Sequence, residues 1–340
     1  MSEKHRIEYL GKTLETIIYK EITEEERIRL KTEYLQKPPK KVVIEQLQKV
    51  CGGYSSIDKI RQYYFEDLFI QGKSKTSKWS ISEMLESREV MGYICGFIDK
   101  YKDTTLPSKK DIDEVFRLYA HNAKLSNFPL QTVDEVLKKY SKSFDNYLDF
   151  SCGWGVRCLG SLRNLRHYFG IDPNSELVDR INLMIQDYNK YCGFSSMYDI
   201  TTDIRKQGSE VFAPEWENKM DIAFSSPPYF DLEIYQSDNQ SYKENQTTYE
   251  DWISNYVKPT IQNIYKYLKK DGIFAVNIKN NAQIIKYDIE GDWNRIVKEN
   301  GFEYIETMHR QNPKRVSGVE NSDEHYMSEG KEPITVYKKI

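Results

Sequence analysis

The chain has 340 residues, 39% of them hydrophobic and 30% charged, which is enough for one large α/β domain and a smaller second one. Its mean hydropathy of −0.71, the lack of any apolar run near about 18 residues, and a start (Met1-Ser2-Glu3-Lys4-His5-Arg6) without a signal-like apolar core predict a cytoplasmic protein with no membrane contact. The five cysteines (Cys51, Cys95, Cys152, Cys158, Cys192) have no paired C-x-x-C spacing, so neither a disulfide framework nor a metal site is expected.

Residues 1 to about 35 are charged and helix-like, with Thr23-Glu24-Glu25-Glu26 as a start signal. Pro38-Pro39 interrupts them, and amphipathic segments follow at Val43–Val50, Ser56–Phe69, Ile81–Lys100 and Lys110–Leu118. Residues 1–123 thus read as a helical accessory domain. The net charge of −3 does not favour a phosphate-rich partner, although lysines and arginines cluster at Lys37–Lys49, Lys73–Lys78 and Lys314-Arg315.

From about residue 124 the texture changes. Strands are expected at 146–150, 167–171, 197–201, 220–224, 272–278, 302–308 and 333–338, with helices at 156–165, 175–190, 249–268 and 290–299 between them. This alternation reads as a doubly wound sheet. No helix separates the last two strands, so they are expected to form an antiparallel hairpin at its edge.

Three stretches carry chemistry. Leu148-Asp149-Phe150-Ser151-Cys152-Gly153-Trp154-Gly155 delivers a strand into a glycine turn that opens a helix, where backbone N–H groups face a ligand. Asp172 in Gly170-Ile171-Asp172-Pro173 ends the next strand, where an acid is able to accept both hydroxyls of a ribose. Phe224-Ser225-Ser226-Pro227-Pro228-Tyr229-Phe230 leaves a third strand through two prolines, which fix the backbone and donate no hydrogen bonds. The Ser226 hydroxyl, the unopposed carbonyls and the Tyr229 ring suit a planar heterocycle with an exocyclic amine.

Ser226-Pro227-Pro228-Tyr229 resembles the catalytic run of the S-adenosylmethionine-dependent DNA amino-methyltransferases, which modify N4 of cytosine or N6 of adenine. The glycine stretch resembles their Asp-Pro-Phe-x-Gly-x-Gly loop, with Phe150 where proline is usual. The resemblance covers about residues 124–340 and extends to bacteriophage-type enzymes and those of restriction-modification. It implies a Rossmann-like class I methyltransferase fold, a mixed seven-stranded sheet with an antiparallel edge hairpin, preceded by the N-terminal helical domain.

Carried residue by residue, the resemblance makes Ser226, Pro227, Pro228 and Tyr229 catalytic. It assigns Phe128, Pro129, Asp149, Phe150, Ser151, Gly153, Gly155, Asp172 and Asp203 (with Asp199 as the alternative) to S-adenosylmethionine. Phe230, Glu233, Lys314 and Arg315 fall on the substrate side. The implied partner is double-stranded DNA, with the target base flipped out and Ser226 leaning toward cytosine. Two alternatives remain open: an RNA or protein-amide acceptor on the same fold, and an inactive module that only binds nucleic acid.

Overall fold

The computed structural model describes residues 7–9, 12–14, 19–53, 56–74, 77, 79–101, 109, 112–113, 127–193, 200–230, 233–235, 248–280, 286–311 and 331–340. The chain divides into two compact units. Among the described residues, no helix is long and apolar enough to cross a membrane.

The smaller unit takes its described residues from 37 and below and from 66–113. Helix Glu24–Tyr34 starts at a capping box in which Thr23 and Glu26 satisfy each other's backbone N–H groups, and Ser80 with Glu83 does the same for Ile81–Glu86. Buried Arg27 joins these helices, donating to the Leu85 carbonyl at 2.9 Å and pairing with Glu24 and Glu86. Helix Arg88–Tyr101 and the short helix Glu66–Phe69 lie in the same unit. The expected helix at Lys110–Leu118 lies almost wholly outside the described residues.

The larger unit holds the sheet. Its strands are β1 (Asn146–Asp149), β2 (His167–Asp172), β3 (Thr202–Lys206), β4 (Met220–Ser225), β5 (Leu268–Asn277), β6 (Phe302–Gln311) and β7 (Lys331–Lys339). Their spatial order is β6-β7-β5-β4-β1-β2-β3. β3, β2, β1, β4 and β5 run parallel, and β7 enters antiparallel between β5 and β6. The order reverses at β1/β4, so the carboxyl ends of these two strands open a crevice for a ligand. This is the Rossmann-like architecture of class I methyltransferases, including the expected antiparallel edge pair.

Among the described residues, seven helices flank this sheet: α1 (Lys40–Cys51), α2 (Asp58–Tyr64), α3 (Leu130–Tyr140), α4 (Val156–Arg163), α5 (Ser175–Cys192), the continuous run α6, and α7 (Ile289–Glu299). The α6 run comprises Tyr249–Trp252, a π-helical turn Ile253–Val257, and Lys258–Tyr267. The core beneath α6 and α7 is aromatic, with Trp216, Trp252 and Trp293 buried among Phe274, Phe302 and Tyr337.

Two expectations need correction. The third strand lies at 202–206, five residues beyond the expected 197–201. As the sheet's edge it pairs, among the described residues, only with β2, and its polar side chains are half-exposed (Thr202, Asp203, Arg205) or exposed (Lys206), so it lacks the apolar run that marks buried parallel strands. Residues 38–65, read as part of an N-terminal domain ending at 123, belong to the compact unit of the sheet. There the Arg180 guanidinium of α5 donates to the Tyr64 carbonyl at 3.1 Å, while Lys40 and the Tyr64 hydroxyl converge on Asp187.

Helices α3 and α4 meet at Gly160, where an added Cβ would lie 2.5 Å from Val133 Cγ1. Gly160→Val is therefore expected to destabilise the protein by about 1–3 kcal/mol, more than the helix propensity of valine returns, read as a lower urea midpoint with unchanged slope.

Candidate active site

The site is assembled around a carboxylate that solvent never reaches. Asp149 closes β1 and is completely buried. Its Oδ1 accepts from Arg157 Nε at 3.0 Å and from Ser225 Oγ at 2.8 Å, and its Oδ2 accepts from the Tyr168 hydroxyl at 3.0 Å. Burial pushes the Asp149 carboxyl above the ordinary carboxylate range, against the pull of Arg157, Ser225 and Tyr168. Three donors, from α4, β4 and β2, thus fix these elements and β1 to one point. Each removes a polar group whose isolation in the core would be costly.

Above this point runs the glycine loop. Gly153 (φ 54°) and Gly155 (φ 70°) take left-handed conformations that a side chain resists. A Cβ at Gly155 would also lie 2.7 Å from Met184 Cε. The loop is tied on two sides: Arg157 donates to the Ser151 carbonyl, and Gly153 N–H donates to Asp172 Oδ2 at 3.3 Å. Asp172 also receives the Asn174 N–H at 3.0 Å. It is only 7% exposed, and burial raises its pKa to about 7 against these two donors.

The Ser226-Pro227-Pro228-Tyr229 run begins one residue after Ser225. Ser226, Pro228 and Tyr229 are half-buried at the end of β4. The Tyr229 hydroxyl donates to the Asn277 carbonyl at 3.1 Å, and Asn277 Nδ2 donates to the Pro333 carbonyl at 2.8 Å, so the run rests on the ends of β5 and β7. Tyr147 of β1 donates to the Phe224 carbonyl at 2.8 Å, securing the residue where the strand ends. Phe128 lies edge-on to Phe224, with ring centroids 5.7 Å apart, and under the Arg157 guanidinium at 5.3 Å. The segment preceding α3 therefore reaches the same junction.

Several expected roles change with this placement. Asp149 supports the cofactor loop but has no oxygen turned outward, and the Phe150 ring is buried against Phe274 at 5.8 Å. Phe230 adopts φ 49° and is 7% exposed, with its ring packed against both Tyr249 and Trp252, so it anchors the run in the core. Asp203 lies inside β3 opposite Phe169, where Trp216 Nε1 donates to it at 3.0 Å and Arg205 at 2.9 Å. It is three residues short of Lys206, which pairs with Asp172 at the ligand end. Glu233 lies in the short strand Glu233–Ile234, and its side chain falls outside the described residues, as do Asp199, Lys314 and Arg315.

Moving the strand also brings forward an acid that the sequence reading passed over. Glu210 follows β3, and its Oε2 is buried without a hydrogen-bond partner. Burial raises its pKa. Its neighbour Ser209 is held by Thr260 Oγ1 at 3.0 Å and by Asn263 Nδ2, which donates to the Ser209 carbonyl at 3.0 Å. The missed signal was the helix-free spacing after the true strand end, Gln207-Gly208-Ser209-Glu210.

A family model described as a DNA methylase (N6_N4_Mtase) matches residues 220–340, from β4 to the end of the chain. No match was found among curated proteins. Solved structures similar to this chain include the cyclase SpnF, 14% identical over 62% of this chain and 81% of that one, with a TM-score of 0.42. The N-methyltransferase NodS from Bradyrhizobium japonicum is 11% identical over 62% of this chain and 92% of its own, with a TM-score of 0.40. A methyltransferase from Methanosarcina mazei is 12% identical over 64% and 99%, with a TM-score of 0.40.

The sheet order together with the family match supports an S-adenosylmethionine-dependent methyltransferase. The residues present fit that cofactor: a glycine loop without side-chain obstruction, an acid bonded to its backbone, and an unpaired buried carboxylate oxygen after β3. Among the described residues, no cluster of His, Cys, Asp or Glu is arranged to hold a metal.

Two outcomes are expected. Arg157→Met leaves Asp149 buried without its cation and costs about 3–5 kcal/mol of stability; adding Asp149→Asn recovers part of that loss in urea titrations. With the Asp172 pKa raised to about 7 by burial, an Asp172 carboxylate that accepts ribose hydroxyls, as the resemblance implies, makes S-adenosylhomocysteine affinity fall as the pH drops below that value, approaching about tenfold per unit. Calorimetric titration checks this, and Asp172→Asn removes the dependence.

Proposed function

We propose that the protein transfers a methyl group from S-adenosylmethionine directly to an exocyclic amine of a base in double-stranded DNA, N4 of cytosine ahead of N6 of adenine. The observation that carries this reading is the single residue separating two loops: Ser226 opens the catalytic run, and the preceding Ser225 is bonded to Asp149 beneath the glycine loop. A bound cofactor supplies an electrophilic methyl group on a sulfonium. The protein contributes placement and hydrogen-bond acceptance.

The amine of a paired base is inaccessible within a duplex, so the base turns out of the stack to reach this edge. The Tyr229 ring offers a stacking face, and the hydroxyl's bond to Asn277 fixes its angle. The Ser226 hydroxyl and the Pro227 carbonyl accept the hydrogens of the amine as its nitrogen becomes tetrahedral. Prolines at 227 and 228 keep these acceptors in place without donors of their own. A neutral serine in the first position supports the preference for cytosine.

On the cofactor side, Asp172 takes the ribose hydroxyls, the Oε2 of Glu210 accepts from the adenine amine, and the backbone of residues 151–155 faces the methionine part with Phe128-Pro129 beside it. The smaller N-terminal unit is assigned to target recognition. Glu233, Lys314 and Arg315 are retained as DNA contacts.

The test is incubation with methyl-labelled cofactor and duplex DNA, single-stranded DNA or total RNA, followed by nucleoside mass spectrometry. The expected product is N4-methylcytosine or N6-methyladenine from duplex DNA; label confined to RNA or protein would overturn the reading. Tyr229→Ala and Pro227→Ala are each expected to lower methyl transfer on the order of a hundredfold while leaving S-adenosylhomocysteine binding within a few fold. Asp172→Ala has the opposite primary effect, loss of cofactor affinity.

A further inference from the structure

Tyr287 precedes α7, at the edge of the sheet where β4 and β5 deliver their carboxyl ends. Its ring stacks on Tyr249 with centroids 4.0 Å apart and planes 3° from parallel. It also meets the Phe230 ring edge-on at 5.9 Å. Tyr249 is buried and held by its hydroxyl, which donates to Asp292 at 2.8 Å, whereas Tyr287 is 42% exposed. One face of Tyr287 is therefore covered by a fixed ring, while 42% of the residue remains exposed to solvent.

The charge beside it is selective. Lys286 is exposed next to Tyr287. Of the nearby acids, Asp288 accepts from Asn280 at 2.6 Å and from the Gly291 N–H at 2.9 Å, Asp292 takes Arg295 at 3.0 Å in addition to Tyr249, and Glu290 is half-buried. A rigid aromatic face beside an exposed cation suits a nucleobase stacked flat with its phosphate alongside. Phe230, which links this face to the catalytic run, immediately follows the target-stacking Tyr229.

We infer that Tyr287 is a positioning residue that stacks an unpaired base next to the target in the same strand, with Lys286 on the adjoining phosphate. This rests on the nucleic-acid reading of the site given above. The stack holds the strand open while the target occupies the pocket.

The test compares two probes of equal length and charge, a fluorescein-labelled oligodeoxyadenylate and an abasic deoxyribose-phosphate ladder, by anisotropy with S-adenosylhomocysteine present. The wild-type protein is expected to prefer the base-bearing strand. Tyr287→Ala lowers its affinity for that strand roughly 5- to 100-fold without changing ladder binding, and Tyr287→Phe restores it. Lys286→Ala weakens both probes equally and reduces the salt slope by about one. Equal loss of both probes in Tyr287→Ala, or no loss in either, would overturn the platform, as would absence of any base preference in the wild type. If that preference persists but labelled methyl never reaches DNA, the platform stands and the methylation reading alone falls.

Discussion

The ion pair between Asp149 and Arg157 is the constraint on which the rest of the site depends. Both side chains are withdrawn from water, and such a pair contributes little net stability compared with apolar packing of similar volume. What it supplies is registration. Asp149 ends the first strand, Arg157 sits in the first turn of the helix beyond the glycine loop, and Ser225 sits at the end of the strand carrying the catalytic run. A displacement of any one element breaks a buried hydrogen bond, so the glycine loop and the Ser226–Tyr229 run keep a fixed spacing. In-line group transfer demands that kind of precision.

The same economy of motion continues along the crevice. The Ser226–Tyr229 run is held from below by Tyr147, from the side by the bond of Tyr229 to Asn277, and from behind by Phe230 packed against Tyr249 and Trp252. The left-handed conformation of Phe230 is an uncommon one for a bulky residue, and it persists because the aromatic cluster determines where that ring must go. On the other flank, α6 pins the loop after β3 through Thr260, Asn263 and Tyr267, whose hydroxyl takes the Ala213 N–H at 2.7 Å. A π-helical turn lies in this same run, where such turns often accompany functional sites.

Much of this was legible in the sequence because it is local. Glycines before a helix, an acid at a strand end and a diproline exit are contiguous signals, and the structure brings Gly153, Asp172 and Ser226 to the carboxyl ends of adjacent parallel strands. What escaped was information that only neighbours provide. β3 has one partner strand among the described residues and a half-solvated surface, so its residues look like a loop, and Glu210 beyond its observed end was passed over. Asp149 reads as a ligand until its burial and three donors are seen. Helices α1 and α2 resemble their N-terminal neighbours in composition, and only their packing on α5 assigns them to the sheet's unit.

The most direct measurement of this account is the effect of Ser225→Ala on cofactor affinity. Ser225 lies on the strand of the catalytic run, is fully buried, and influences the glycine loop only through Asp149 and the Ser151 carbonyl. If one buried network sets both loops, this substitution weakens S-adenosylhomocysteine binding several-fold in calorimetric titration, with the protein still folded. Unchanged affinity would show that the two loops are positioned independently and would contradict the account.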